Sequence, residues 1–419
     1  MERALLVIVK FDSDKDVRQS QEAAKELIDL ATTSHAEVID QIICHRDKPT
    51  ANLYIGSGKA EEIALTCQEK EIATVIFNDD LSGTQQKNLE GIIKCKIIDR
   101  TQLILDIFAQ HAHSPEGKMQ VELAQMEYLF PRLTGKGIML SNLGGGIGTR
   151  GPGETKLEVD RRKIRRRIMK LKKDLGSVIK RRQIVRKKRE KSFIPTVALI
   201  GYTNAGKSTL LNSLTHSEQQ TRESLFTTLD PVSRMFTLPN NHKIIFSDTV
   251  GFLHRLPHHL IEAFKATLEE VKESDLLVHI LDISHPQAYE RTEAVYKVLE
   301  QLESKEKPMI TALNKIDRLE DKGWLERYRQ DFPNSVAISA LRQENLEELI
   351  DKIMECLPQM NSLLRVIIPH EYMHLVNLIY EEGEVKKVDY TEKGVYIEVY
   401  LPYITANKIL SYDKVKEVF

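Results

Sequence analysis

Cysteine is scarce in this 419-residue chain: Cys44, Cys67, Cys95 and Cys356 lie far apart, with no C-x-x-C spacing. That argues against a zinc ribbon or a disulfide scaffold and fits a reducing cytosol. Long apolar runs are missing too; none approaches the ~18–20 residues needed to cross a bilayer. The longest early run, Ala4 to Val9, is six residues between Arg3 and Lys10 and has no small-residue cleavage site. It reads as a strand, not as a secretory signal. Net charge is nearly absent, with 60 Lys+Arg against 61 Asp+Glu. The balance conceals an asymmetry. Arg161 to Lys191 holds 17 Lys/Arg and two acids, a net +15 that leaves −16 on the remainder. One cationic arm on an acidic body makes the global charge uninformative about partners.

The length suggests about two to four domains. Ala4–Val9, Glu37–Ile43, Ala73–Phe77 and Lys96–Ile98 read as strands, with helices over Val17–Leu30, Lys59–Glu69 and Ser82–Ile92. This alternation predicts a small, mostly parallel sheet with helical crossovers over 1–115. Residues 116–192 read as a basic helical hairpin. Met119, Leu123, Met126 and Phe130, then Ile164, Ile168, Leu171, Leu175, Val178, Arg182 and Val185, follow the 3,4 spacing of a helix–helix seam. Between them, Gly135 to Gly153 holds eight of the chain's 20 glycines, the composition of a long connecting loop. Strand and helix alternate again over 193–358. A short α+β module closes the chain over 359–419. The predicted fold class is α/β: an N-terminal βα domain with the hairpin, a P-loop domain and the small C-terminal module.

Gly201-Tyr202-Thr203-Asn204-Ala205-Gly206-Lys207-Ser208 fits G-x-x-x-x-G-K-[ST] directly after the strand Thr196–Ile200. Backbone N–H groups of such a loop curl around phosphate oxygens, Lys207 supplies positive charge, and the Ser208 hydroxyl can ligate Mg²⁺. Asp248-Thr249-Val250-Gly251 ends another apolar strand, where Asp248 can hold Mg²⁺ through water and the Gly251 amide can meet a γ-phosphate. Asn314-Lys315-Ile316-Asp317 is the guanine-reading N-K-x-D element, since Asp317 can accept both N1–H and N2–H of guanine and adenine offers neither. Ser339-Ala340-Leu341 fits the short loop that supports the base. Phe226-Thr227-Thr228-Leu229-Asp230-Pro231 lies where switch I belongs; Thr228 is the expected second Mg²⁺ hydroxyl, with Thr227 the alternative. Lys207, Thr228 and Gly251 are the catalytic candidates. Phe252 stands where many signalling GTPases carry a water-orienting Gln, which predicts slow intrinsic hydrolysis.

Together these residues resemble the HflX family of translation-associated GTPases, in the Obg–HflX branch. The resemblance extends beyond the P-loop domain to Tyr54-Ile55-Gly56-Ser57-Gly58-Lys59, Asp99–Phe108, Gln120-Val121-Glu122-Leu123-Ala124 and the glycine-rich Gly144–Lys156, covering about residues 1–360. It implies GTP/GDP binding with Mg²⁺, GTP hydrolysis and association with the large (50S) ribosomal subunit in translation, ribosome recycling, rescue or biogenesis. It further implies a mostly cytoplasmic monomer, with some peripheral membrane association across the family. The basic hairpin suits rRNA: Arg150, Lys156, Arg161, Arg162, Lys163, Arg165, Arg166, Arg167, Arg181 and Arg182 are the RNA-binding candidates, against the plainer reading of a solvated structural helix. No aromatic follows Phe130 until Phe193, so contact through phosphates is expected.

Other readings compete. One is an RNA-binding assembly or checkpoint factor whose GTPase acts as a timer. Another is a zinc protease through His370-Glu371-Tyr372-Met373-His374, a literal H-E-x-x-H for which no helix-borne third ligand is evident. Gly56-Ser57-Gly58-Lys59 offers a second anion nest, or simply a tight turn.

Overall fold

The computed structural model describes residues 2–11, 17–133, 156–191, 194–215, 232–252, 265–319, 323–357, 361–391 and 394–418. The chain forms two compact units, one taking in Met1–Val178, the other Ile179–Thr221, Pro231–Arg255 and Ala266–Phe419.

The first unit opens with β1 (Glu2–Phe11), α1 (Val17–Thr33), β2 (Ala36–Arg46), α2 (Ser57–Glu69), β3 (Thr74–Phe77), α3 (Gly83–Ile93), β4 (Lys96–Asp99) and α4 (Arg100–His111). The strands form a parallel sheet in the order β2-β1-β3-β4. Ala4 to Val9 is buried without alternation, as a strand covered on both faces must be. α4 had no counterpart among the predicted helices. Leu103, Ile104, Leu105, Ile107 and Phe108 are all buried, and only the narrow stripe of Gln102, Asp106 and Gln110 marks its outer face.

α5 (Pro115–Arg132) starts at Ser114, whose hydroxyl accepts from the Gly117 amide, with Pro115 in the first turn. Its last residue, Arg132, donates to Asp99 Oδ2 at 3.0 Å and to the Leu81 carbonyl at 2.7 Å, tying this helix end to the sheet. α6 (Lys156–Lys191) returns along it. Leu123, Leu171 and Leu175 are buried together with Met119 and Ile168 against them, so the 3,4 spacing does mark a seam. The glycine-rich link, 135–153, lies outside the described residues.

The second unit contains β5 (Thr196–Gly201), α7 (Lys207–Thr215), β6 (Val232–Thr237), β7 (Lys243–Asp248), α8 (Lys265–Glu273), β8 (Leu276–Asp282), α9 (Ala288–Gln301), β9 (Met309–Asn314), α10 (Gly323–Asp331), β10 (Ser335–Ala337) and α11 (Leu346–Cys356). The sheet order is β10-β9-β8-β5-β7-β6, parallel except where β6 meets β7. Leu199 pairs with Asp248, and Asp282 with Asn314. The register therefore delivers Gly201, Asp248, Asp282 and Asn314 to the carboxyl edge of one parallel sheet, where α/β folds bind ligands.

After it come β11 (Asn361–Ile368), a 3₁₀ turn (His370–Tyr372), α12 (Met373–Glu382), β12 (Glu384–Thr391), β13 (Gly394–Pro402), α13 (Tyr403–Leu410) and β14 (Lys416–Glu417). They form an antiparallel sheet, β12-β13-β11-β14, whose buried side chains pack with Leu375, Val376 and Ile379 of α12 and with Ala406 and Ile409 of α13. α13 and β14 were not anticipated from the sequence.

Candidate functional site

The loop from Gly201 to Lys207 joins β5 to α7, and its geometry demands its glycines. Gly201 has φ +152° and a Cβ there would lie 2.4 Å from the Ile280 carbonyl oxygen. Gly206, at φ +102°, would drive a Cβ to 2.3 Å from Asn314 Nδ2. Asn204 adopts the left-handed region as well, which Asn tolerates better than most residues.

Lys207 opens α7 and is buried. Its ammonium donates to the carbonyls of Gly201 at 3.1 Å and Tyr202 at 2.9 Å. Burial lowers its pKa to about 8, against the opposing pull of Asp248. The Ser208 hydroxyl donates to Asp248 Oδ2 at 2.6 Å. Thr249 turns away: its hydroxyl donates to the Leu199 carbonyl.

Past β7 the chain runs beside the phosphate loop. Phe252 donates its amide to the Gly201 carbonyl at 3.1 Å and accepts from the Thr203 amide at 2.9 Å. Gly251 is thereby held against Thr203 and Lys207: a Cβ on it would sit 2.7 Å from Thr203 Cγ2 and 3.1 Å from Lys207 Nζ. Only a residue without a side chain fits between them.

Asn314 connects the two halves of the site. Its amide nitrogen donates to the Ala205 carbonyl at 2.8 Å, and its oxygen accepts from the Ala340 amide at 3.0 Å. Lys315, at φ +68°, donates to the Asn204 carbonyl at 2.9 Å and to Asp282 Oδ2 at 2.7 Å. Ile316 and Asp317 lie in the following 3₁₀ turn. Asp317 Oδ1 accepts from the Ser339 hydroxyl at 2.6 Å, and Ser339 Oγ accepts from the Arg342 amide. Leu341 is 70% exposed beside them. Asp282 is the residue that sequence reasoning missed; its one signal is its place at the end of an apolar strand, as for Asp248.

Phe226, Thr227, Thr228, Leu229, Asp230 and Arg150 lie outside the described residues, as do the side chains of Lys156 and Arg182. On α6, Arg167 is taken up internally, with Nε and Nη2 each 2.6 Å from the two oxygens of Glu122 on α5. Arg161 and Arg165 each lie 5.5 Å over the Phe130 ring. Phe130 thus joins the arm from the facing helix, which linear spacing does not reveal. Lys163 pairs loosely with Asp160, at 3.7 Å. Arg162, Arg166 and Arg181 are exposed.

The zinc-protease reading finds no support here. His370 belongs to a 3₁₀ turn and His374 to α12, so the two do not share one α-helical face. Glu371 pairs with Lys414 at 2.8 Å, and no cluster of three or more His, Cys, Asp or Glu is arranged for a metal among the described residues. Gly56-Ser57-Gly58-Lys59 borders an open cleft of about 910 Å³ with Arg46, but Lys59 is paired with Glu62 at 2.6 Å.

Family profiles described as "GTP-binding GTPase N-terminal", "GTP-binding GTPase Middle Region" and "50S ribosome-binding GTPase" match residues 21–109, 111–189 and 196–315. The chain is 46% identical to a GTPase HflX of Caldanaerobacter subterraneus over 397 residues, 95% of this chain and 90% of that protein. It is 39% identical to the GTPase HflX of Escherichia coli over 405 residues, 96% of this chain and 94% of that one. Among solved structures it is similar to a GTP-binding protein from Sulfolobus solfataricus in complex with GDP, at 28% identity and TM-score 0.45, covering 85% of this chain and 98% of the other.

Proposed function

This chain belongs to the HflX family of GTPases, and from that premise we propose that it is a GTP hydrolase that docks on the large ribosomal subunit and touches its rRNA with α6. The observation that carries the nucleotide part is Asn314, which bonds the phosphate loop through Ala205 and the base loop through Ala340. One side chain thus fixes the distance between phosphate and guanine subsites.

In this reading the amides of Gly201 to Ser208 and the ammonium of Lys207 bind the β- and γ-phosphates. Asp317 reads guanine, and Gly251 presents its amide to the γ-phosphate. Ser208 and Asp248 bring a hydroxyl and a carboxylate oxygen within 2.6 Å, a pair of hard oxygen donors that suits Mg²⁺. Thr228 is proposed to add a hydroxyl. Bound there, Mg²⁺ would neutralise charge on the phosphate oxygens. The boundaries 1–115, 116–192, 193–358 and 359–419, and a cytoplasmic monomer, belong to the same proposal. Among the described residues no helix is long and apolar enough to cross a membrane.

Base exchange tests the reading. Asp317→Asn would turn an amide donor toward guanine N2–H₂, and GTP affinity is expected to fall at least about 100-fold. Xanthosine triphosphate, with a carbonyl at that position, should bind the variant better than GTP does. Unchanged GTP affinity would remove Asp317, and with it guanine selection, from this site.

A further inference from the structure

The C-terminal module has the strand and helix order β-α-β-β-α-β, with its first and third strands, β11 and β13, in the centre of the sheet. Its helices cover one face only. Val395, Ile397, Val399 and Leu401 of β13 and Leu364, Val366 and Ile368 of β11 are buried on that face. Strand alternation sends Tyr396, Glu398 and Tyr400, with Leu363, Arg365 and Ile367, to the opposite side. Across the strands Leu363 pairs with Tyr400, Arg365 with Glu398 and Ile367 with Tyr396. Tyr400 is 36% and Leu363 39% exposed.

Two lysines join this face from the edge strand. The register shifts between Val385 and Lys387, and such a bulge lets consecutive residues point the same way. Lys386 Nζ lies 5.7 Å from the Tyr400 ring centre and Lys387 Nζ 6.0 Å from that of Tyr396. Each ring therefore has an ammonium beside it. Lys416, at the other edge, is exposed too.

We propose that this open face binds single-stranded RNA, with bases stacked on Tyr396 and Tyr400 and phosphates met by Lys386, Lys387 and Lys416. Aromatic residues on the central strands of a four-stranded sheet are how such a surface holds splayed bases, and ring–base stacking tolerates any sequence. A protein partner suits the face less well. Its middle row is ionic, with Arg365 Nη2 3.0 Å from Glu398, and sealing that pair under a dry interface would cost desolvation that a wet nucleic-acid contact avoids. The carboxylates Glu384, Asp389 and Glu398 are each paired with Lys386, Lys387 or Arg365. The face is thus close to neutral, so stacking rather than charge must supply most of the affinity. The proposal is independent of the GTPase site.

The experiment uses the full chain and a fluorescently labelled 12-nucleotide RNA of mixed sequence, at about 0.3 M KCl to weaken phosphate-only binding by α6. Tyr396→Ala with Tyr400→Ala is expected to weaken binding at least about 30-fold. Tyr396→Phe with Tyr400→Phe keeps the rings and should bind within about twofold of wild type. Far-ultraviolet circular dichroism and the thermal melting profile, compared with wild type, report that the variants are folded. Should the alanine pair fail that check, Lys386→Glu with Lys387→Glu on the exposed strand replaces it, with weaker RNA binding again expected. Absence of wild-type binding, an alanine pair as tight as wild type, or a phenylalanine pair as weak as the alanine pair each overturns the proposal. So does an alanine pair that keeps the oligonucleotide but loses large-subunit co-sedimentation, since the face would then serve a protein.

Discussion

Lys315 and Asp282 form a part-buried ion pair, 2.7 Å between Nζ and Oδ2, at the ends of adjacent strands. The same ammonium donates to the Asn204 carbonyl in the phosphate loop. Asp282 is itself fixed by the amide and hydroxyl of Ser284, which donate to Oδ1. A short chain of contacts thus fixes the Lys315 side chain between Asp282 and the Asn204 carbonyl, beside the proposed base subsite. Asp282→Asn removes the charge but keeps the shape. A hydrogen bond to a charged partner is worth about 1.5 kcal/mol or more, so GDP should dissociate about tenfold faster. Maximal hydrolysis is expected to change little, because in the proposed reading Asp282 acts through Lys315 on the base and not on a phosphate. Stopped-flow release of a fluorescent GDP measures this, and a wild-type rate would sink the assignment.

The proton on Lys207 gives a second prediction. Burial lowers its pKa to about 8, and a bound phosphate should raise it again by favouring the charged form. Nucleotide binding should then take up a proton above about pH 8 and none near pH 6.5, so affinity falls as pH rises through 8. Folding runs with the opposite sign: between about 8 and the ordinary lysine value the unfolded chain holds more protons, so this group's contribution to stability rises with pH there. Calorimetry of GDP binding at pH 8.5, in buffers of different ionisation enthalpy, counts the protons. No uptake would mean that Lys207 stays charged without ligand.

How far the sequence could be read depended on whether a signal was local. The P-loop and N-K-x-D stand in contiguous residues with turn geometry that admits few others, so their identity was legible. So was the seam of α5 and α6, because Leu123, Leu171 and Leu175 recur at helical spacing. α4 was not, since Gln102, Asp106 and Gln110 form only a narrow polar stripe in an otherwise apolar run. Asp282 carries no motif, and its meaning exists only once β8 lies beside β9. The same holds for Arg167 with Glu122 and for Phe130 beneath Arg161 and Arg165. A row of cations looks uniform in sequence, and only the facing helix shows which of them are engaged.

That distinction divides the arm's arginines into two classes. Arg167, held by both oxygens of Glu122, should act on the helix pair. Arg167→Ala is expected to lower the stability of the helix pair slightly, as for an exposed ion pair, and to leave RNA affinity nearly intact. Arg166, Lys170 and Lys173 are exposed along one stretch of α6, with i, i+4, i+7 spacing on one face. Replacing all three with Ala should flatten the salt dependence of large-subunit binding, by close to one logarithmic unit of slope per phosphate lost. Sedimentation across a KCl series separates the two. An Arg167 variant that flattens the slope as much as the triple variant would erase the distinction.

The last prediction concerns the missing glutamine. Phe252 occupies the position after Gly251, is 2% exposed, and has its backbone bound to Gly201 and Thr203. Its side chain points into the protein, so replacing it with Gln would bury an amide instead of offering one to water beside the γ-phosphate. Phe252→Gln should therefore destabilise the fold by about 3 kcal/mol and should not raise the intrinsic GTPase rate. A polar group for the attacking water must then come from elsewhere, and contact with the large subunit is expected to accelerate hydrolysis. If GTP favours the subunit-bound state, subunit binding tightens GTP by the same factor. Single-turnover hydrolysis with and without large subunits, for wild type and Phe252→Gln, measures both effects. A faster intrinsic rate in the variant would show that position 252 can reach the water after all, and an unstimulated wild type would detach hydrolysis from the ribosome.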